Sequence, residues 1–311
     1  PFHMDREKGI EAYQAMVTAE EYQRRLKDGD HSMIHRFTAE GDSPVIQVEV
    51  SLAEQTAKGI GKYEFRAVDG AVLPPWQAGA HLDIVVAPEF LRQYSMSGNP
   101  ADRSVYQIAV LREDMGRGGS ALLHRIFTEG RRIFISKPIN HFPLDPDASR
   151  VVLMGGGIGV TPLVAMAHEL HAQGREFVLH YSGRSRTAMG LLDDISGFPW
   201  ADRVHLHITE EGSRAELGAL LTYSPGAHVY TCGAEPYMTA VMAAAETAGF
   251  PEEARHLEYF SVPEVPEYVN HPGTLKLARA GRSREVPEDK TPADVLNDNG
   301  IHVDVKCADG I

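Results

Sequence analysis

Residues 151–163 constrain the fold of this 311-residue chain more than any other stretch. They read Val151-Val152-Leu153-Met154, then Gly155-Gly156-Gly157-Ile158-Gly159-Val160-Thr161-Pro162, then a helix-forming run from Leu163 to His171. A short, wholly apolar segment before such a loop reads as a strand covered on both faces, the environment of a parallel sheet. The glycines let backbone approach a pyrophosphate closely. The helix that follows offers unpaired N–H groups and a partial positive charge at its start. Pro162 suits the first helical turn, where a missing N–H costs nothing. A plain strand–helix turn is the competing reading of the loop alone, and its Thr-Pro ending departs from the three-glycine dinucleotide fingerprint.

The flanking sequence differs in period. Val45 to Val50, His81 to Val86 and Val105 to Val110 alternate with period two and are separated by Gly and Pro turns. This pattern predicts an antiparallel β-barrel over about 45–147. Beyond it, Phe177 to Tyr181 and His228 to Thr231 repeat the apolar strand signal between helical stretches, so 148–262 is expected to be a parallel α/β sheet. Residues 6–27 carry Ile10, Tyr13, Met16 and Val17 at helical spacing, and 5–44 reads as a helical extension packed on a neighbouring domain. The first four residues read as a cleavage and cloning scar ahead of a natural Met4. A proline-interrupted linker at 263–271 leads to a last piece, 272–311.

Composition excludes some partners. The formal net charge is -13, from 30 Lys and Arg against 43 Asp and Glu. Nucleic acid and anionic membrane surfaces would repel such a chain. Two cysteines, Cys232 and Cys307, give no disulfide framework and point to a reducing cytoplasm. No apolar run reaches the roughly 20 residues of a membrane span. The 15 histidines show no metal-ligand spacing; His205 and His207 alternate along a strand, which a surface strand face explains more simply than zinc.

Two upstream motifs have the composition of a phosphate clamp. Arg92-Gln93-Tyr94-Ser95 closes one strand, and Gly116-Arg117-Gly118-Gly119-Ser120 precedes a predicted helix at 121–127. A fixed guanidinium and a hydroxyl can hold a phosphoester while an aromatic ring lies along an extended ligand. For either motif alone, a surface Arg in a barrel strand with a core Tyr is the better reading. In order along the chain, these motifs, the glycine loop and Cys232-Gly233 together resemble the ferredoxin-reductase-like superfamily. Within it, the chain from Val45 onward resembles the phthalate dioxygenase reductase and vanillate O-demethylase reductase family.

That resemblance implies roles for particular residues. Arg92 would meet the phosphate of FMN, Tyr94 the flavin ring, and Ser95 completes the motif; Gly118, Gly119 and Ser120 match the loop over the FMN phosphate. Gly156, Gly157, Gly159 and Thr161 match the nicotinamide dinucleotide loop, and Cys232 and Gly233 the pair near the nicotinamide ring. Phe260, in Glu258-Tyr259-Phe260, matches a Phe stacked by the isoalloxazine; a core aromatic is its alternative. No side chain is assigned as general acid or base. NADH is the expected donor. NADPH stays open, because Ser182-Gly183-Arg184-Ser185-Arg186 follows the second parallel strand with no carboxylate, and Arg184 could face the adenosine ribose.

The C-terminal piece extends the resemblance. Leu275 to Arg279 and Arg284 to Val286 read as paired strands, and Thr291-Pro292 starts a short helix ended by Gly300. Cys307 then matches the first ligand of a plant-type 2Fe-2S loop, spaced C-x4-C-x2-C with a distant fourth cysteine. The other ligands are absent, so 272–311 is expected to be the start of a β-grasp ferredoxin domain cut short, with a 2Fe-2S cluster in the intact protein and none in this chain. The implied function is an NADH-dependent, FMN-containing reductase, monomeric, serving a Rieske-type aromatic ring oxygenase or O-demethylase. The alternatives are the reductase module of a haem monooxygenase system, and a non-catalytic flavin-binding or docking module that uses the N-terminal helix. The oxygenase and its substrate are not encoded here, since that choice lies in the partner.

Overall fold

The structure, a computed structural model, describes residues 46–87, 90–113, 118–260, 271–277 and 281–301. The expected N-terminal helix, Gly116-Arg117, most of the linker and Cys307 lie outside the described residues. The chain divides into two compact units after Glu258.

The first unit contains two sheets. In the antiparallel one, β1 (Ile46–Ala57), β2 (Ile60–Ala67), β3 (Ala80–Ala87), β4 (Phe90–Ser95), β5 (Tyr106–Leu111) and β6 (Arg132–Ile135) run in the order β4-β3-β6-β1-β2-β5, with β7 (Ile139–Asn140) paired to β3. The β1–β2 hairpin turns on Lys58-Gly59, between paired Ala57 and Ile60. Gly59 has φ 73°, the left-handed region that a two-residue hairpin turn requires. At the far edges Met96 bridges Ile108, and Ser97 N–H donates to the Gln107 carbonyl at 2.9 Å. The helix α1 (Gly119–Ile126) follows β5 and buries Leu122 and Leu123.

The second sheet is wholly parallel, in the order β10-β9-β8-β11-β12. Its strands are β8 (Arg150–Gly156), β9 (Glu176–Gly183), β10 (Val204–Ile208), β11 (Ala227–Cys232) and β12 (Arg255–Glu258). Helices α2 (Val160–Ala172), α3 (Leu192–Gly197), α4 (Leu217–Leu220) and α5 (Glu235–Thr247) connect them. The central β8 shows why its sequence is apolar throughout. Val151 and Leu153 belong to the core that contains α2, Val152 and Met154 to the core beneath α5, and all four are fully buried. Because the chain leaves β8 first toward β9 and later toward β11, the strand order reverses between β8 and β11. In open α/β sheets that is where a crevice opens beyond the carboxyl ends of the strands.

One hydrophobic cluster spans both sheets, from Val48, Phe65 and Leu82 to Leu163, Leu179 and Ile208. Polar ties reinforce it. Lys62 Nζ reaches Asp194 at 2.6 Å and Glu54 at 3.1 Å. The Ala78 N–H donates to Glu169 at 2.8 Å, and the Lys58 N–H to the Thr187 carbonyl at 2.7 Å.

In the second unit β13 (Gly273–Leu277) pairs antiparallel with β14 (Arg282–Val286), followed by α6 (Pro292–Asp298). Thr291 and Asp294 form a reciprocal capping box, and Gly300, at φ 73°, follows the helix. The strand pairing and the short helix match the sequence expectation.

Candidate functional site

Arg92 and Tyr94 occupy alternate positions of β4, and α1 starts across from them. The residue before α1, Gly118, is left-handed at φ 85° and has no side chain to cap the helix. A Cβ on Gly119 would lie 2.5 Å from Arg92 Nε and 3.1 Å from its Cζ. The guanidinium therefore lies against the first turn of α1, beside backbone N–H groups that no side chain caps. A permanent cation, a helix N-terminus and no Cβ in the way are the features that binding a phosphoester requires. The Ser120 hydroxyl accepts the Glu113 N–H at 3.1 Å, which holds the incoming chain against the helix start. Burial raises the Tyr94 phenol above its ordinary value, so it stays neutral and can act as an apolar wall.

The glycine loop joins β8 to α2. Gly157 is left-handed at φ 55°, and Thr161 donates from its hydroxyl to the Ile158 carbonyl at 3.0 Å, tying the loop to the first turn of α2. Thr161 thus shapes the loop as well as matching its motif. A Cβ on Gly159 would overlap the Cys232 carbonyl and the Gly233 nitrogen. Gly233, at φ 154°, leaves β11 with its own α-carbon facing Gly156. The loops after β8 and β11 therefore touch through bare backbone, directly at the switch point. Over Gly156 lies the ring of Tyr237, whose hydroxyl is 3.4 Å from that of Ser182 at the end of β9.

The antiparallel and parallel sheets meet at Ser95. Its hydroxyl donates to Glu258 Oε2 at 3.2 Å, linking the end of β4 to the end of β12. Glu258 pairs in register with fully buried Cys232. Burial pushes the Glu258 carboxyl up to about 7, against the opposing pull of the Ser95 bond. The Cys232 thiol is driven well above its usual range, first by burial and then by the neighbouring carboxylate. It is a small apolar wall, not a nucleophile. Ser95, Cys232 and Glu258 thus meet where β4, β11 and β12 end, with Glu258 hydrogen-bonded to Ser95 and paired in register with Cys232.

At 35% identity, 272 residues align with the vanillate O-demethylase oxidoreductase of a Pseudomonas species, covering 86% of this chain and 85% of that protein. The solved structure of phthalate dioxygenase reductase superposes with a TM-score of 0.68 at 32% identity, over 83% of this chain and 81% of that one. This chain belongs to the phthalate dioxygenase reductase and vanillate O-demethylase oxidoreductase family. It is an oxidoreductase, the reductase component of an oxygenase system. An intact type IV self-sufficient cytochrome P450 monooxygenase is also similar, with a TM-score of 0.77 and 36% identity; the match covers 86% of this chain and 35% of that much longer one. No family model matches the sequence.

This reductase brings together most residues that its sequence singles out: Arg92, Tyr94, Ser95, Gly118, Gly119 and Ser120 around the cradle, and Gly156, Gly157, Gly159, Thr161, Cys232 and Gly233 around the crevice. Arg184 follows β9 and is 85% exposed at its side chain, paired to Glu210. Phe260 is 45% exposed and belongs to the second unit. Sequence reasoning missed two things. It placed Glu258 only as part of a motif, without its protonation. It also found no carboxylates beside Arg184 and Arg186, although Glu210 and Glu211 reach both. Among the described residues no group of three or more His, Cys, Asp or Glu side chains could hold a metal ion. His205 and His207 do share a strand face, and His180 joins them there, its Nδ1 3.0 Å from His207 Nε2 and its ring stacked on His205. Among the same residues no helix is long and apolar enough to cross a membrane.

Proposed function

We propose that this reductase takes a hydride from NADH onto FMN and passes the electrons to a Rieske-type aromatic ring oxygenase or O-demethylase. The observation that carries the reading is the Ser95–Glu258 hydrogen bond, which puts the strand of the phosphate cradle against the strand ends of the dinucleotide crevice. Bound FMN would accept two electrons together and release them one at a time. The chain's own residues bind, orient and screen. Arg92 and the N–H groups of Gly119 and Ser120 would hold the FMN phosphate, with Tyr94 lining the flavin. The loop of Gly156, Gly157 and Gly159 would hold the pyrophosphate of NADH, with the nicotinamide end at Cys232 and Gly233. Burial raises the Glu258 carboxyl to about 7, so beside Ser95 it would exchange a proton near neutral pH.

The Met96–Ile108 bridge supports reading the antiparallel sheet as a closed barrel, and the β13–β14 hairpin with α6 supports a β-grasp start in the second unit. We place the protein in the cytoplasm as a monomer. The structural likeness to a self-sufficient P450 favours a second reading, a reductase for a haem monooxygenase.

Anaerobic addition of NADH to the purified protein tests the first step. The flavin absorbance should bleach, and heat-released flavin should chromatograph as FMN. A protein without flavin, or with flavin that no nicotinamide nucleotide reduces, would end the reading. Reduction of a purified Rieske oxygenase but not of a haem monooxygenase separates the two partner classes.

A further inference from the structure

We propose that Glu210 and Glu211 select NADH over NADPH, by neutralising the two arginines that stand where an adenosine 2′-phosphate would lie. The inference rests on the donor site proposed above and adds the residues that choose the donor. Beyond the carboxyl ends of the parallel strands, features follow the strand order. The nicotinamide end is at Cys232 and Glu258, on β11 and β12, and the pyrophosphate loop is on β8. Ser182 lies at the end of β9 and Arg184 and Arg186 follow it, one strand spacing of about 4.8 Å further from the switch point. That is the place of the adenosine ribose, where a 2′-hydroxyl or a 2′-phosphate distinguishes the two donors.

The arginines are already engaged. Arg184 Nε donates to Glu210 Oε1 at 3.2 Å. Arg186 makes a two-pronged contact with Glu211, Nε to Oε1 at 2.7 Å and Nη2 to Oε2 at 3.0 Å. The carboxylates are held by backbone as well. Their turn (Thr209–Glu211) follows β10, whose Ile208 pairs with Gly183. The Glu210 N–H donates to the Arg184 carbonyl at 3.0 Å, and the Ile208 N–H to Ser213 Oγ at 2.9 Å. Gly212, left-handed at φ 73°, closes the turn through its N–H to the Thr209 carbonyl.

Two guanidinium groups against two carboxylates leave no net charge for a phosphate. A 2′-phosphate carries about −1.5 to −2 near neutral pH, and reaching either guanidinium would bring it beside a fixed carboxylate. A 2′-hydroxyl is neutral and can donate to a carboxylate oxygen. Discrimination by repulsion of the wrong ligand is the expected result. All four side chains are well exposed, from 45% to 85%. Exposed ion pairs contribute little to stability, so replacing them leaves the fold intact.

The test uses the full flavin-loaded chain, with kcat/KM for NADH and NADPH measured by ferricyanide reduction. Calorimetry with 5′-ADP and 2′,5′-ADP reads the adenosine site without any redox step. The wild type should favour NADH and bind 5′-ADP more tightly. In E210Q/E211Q, the NADPH-to-NADH efficiency ratio should rise roughly tenfold or more. Adding R184Q/R186Q should abolish that gain. A double variant with an unchanged donor ratio, or a wild type that prefers 2′,5′-ADP, overturns the proposal. Nucleotide that binds but bleaches no flavin defeats the proposed function and leaves the selectivity result standing. Failure to bind either analogue removes the donor site, and this proposal with it.

Discussion

At Glu258 burial and hydrogen bonding pull in opposite directions. Burial wins, and the carboxyl is raised from 4.5 to about 7. Folding therefore favours the protonated form. The associated stabilisation is complete below about pH 4.5 and is lost as pH rises through about 7. E258Q, which keeps a neutral acceptor for Ser95, should match the wild type at pH 4.5 and exceed it at pH 8 by on the order of 1–3 kcal/mol. Thermal unfolding at the two pH values reads this, and equal differences at both would show that folding does not raise the Glu258 pKa. The second single-residue test is at Gly119. G119A places a Cβ 2.5 Å from Arg92 Nε and must push the guanidinium off the helix start. Losing that charge-assisted contact should weaken flavin retention by about 1.5–3 kcal/mol, seen as flavin fluorescence released on dilution. Unchanged retention would mean that the phosphate is held elsewhere.

Between elements, what could be read from sequence depended on distance along the chain. The glycine loop, its strand and its helix are contiguous, so β8 and α2 appear in the sequence as an apolar run, a glycine cluster and a helical run. The Arg-x-Tyr-Ser strand end and the Gly-Gly-Ser helix start are equally local. Their mutual contact is not, since it depends on α1 folding back over β4. Ser95 and Glu258 are 163 residues apart, and Glu210 reaches Arg184 across 26. Those pairs exist because β12 ends beside β4 and β10 lies beside β9, which no local pattern encodes. The same reasoning gives a prediction for the β8 and β11 loops, whose contact requires that Gly159 has no Cβ. G159A must separate them by displacing the Cys232–Gly233 backbone. The KM for NADH should rise roughly tenfold or more, as expected when a binding cradle moves by about 1 Å, while flavin content stays normal because the cradle at Arg92 is untouched. Normal NADH kinetics in G159A would place the pyrophosphate away from this crevice.

For the whole molecule, the decisive fact is that one core of the first unit is shared by both sheets, while the parallel sheet has a second core of its own. Residues of the antiparallel sheet, of α2 and of the parallel sheet belong to one hydrophobic cluster. Lys62, 10% exposed at its side chain, is held between Glu54 on its own hairpin and Asp194 on α3. Two sheets that share apolar contacts and a half-buried ion pair should lose structure together. Heating should therefore give one transition, with flavin release coincident with loss of the parallel sheet seen by circular dichroism. Removing one partner of the pair leaves the other charge poorly compensated. K62M should lower the temperature of that common transition by several degrees, the shift that about 1–2 kcal/mol gives in a domain of this size. It should do so for flavin release and for circular dichroism equally. If K62M instead split the two signals into separate transitions, the shared core would be too weak to couple the sheets, and the crevice at Ser95 and Glu258 would open before either sheet unfolds.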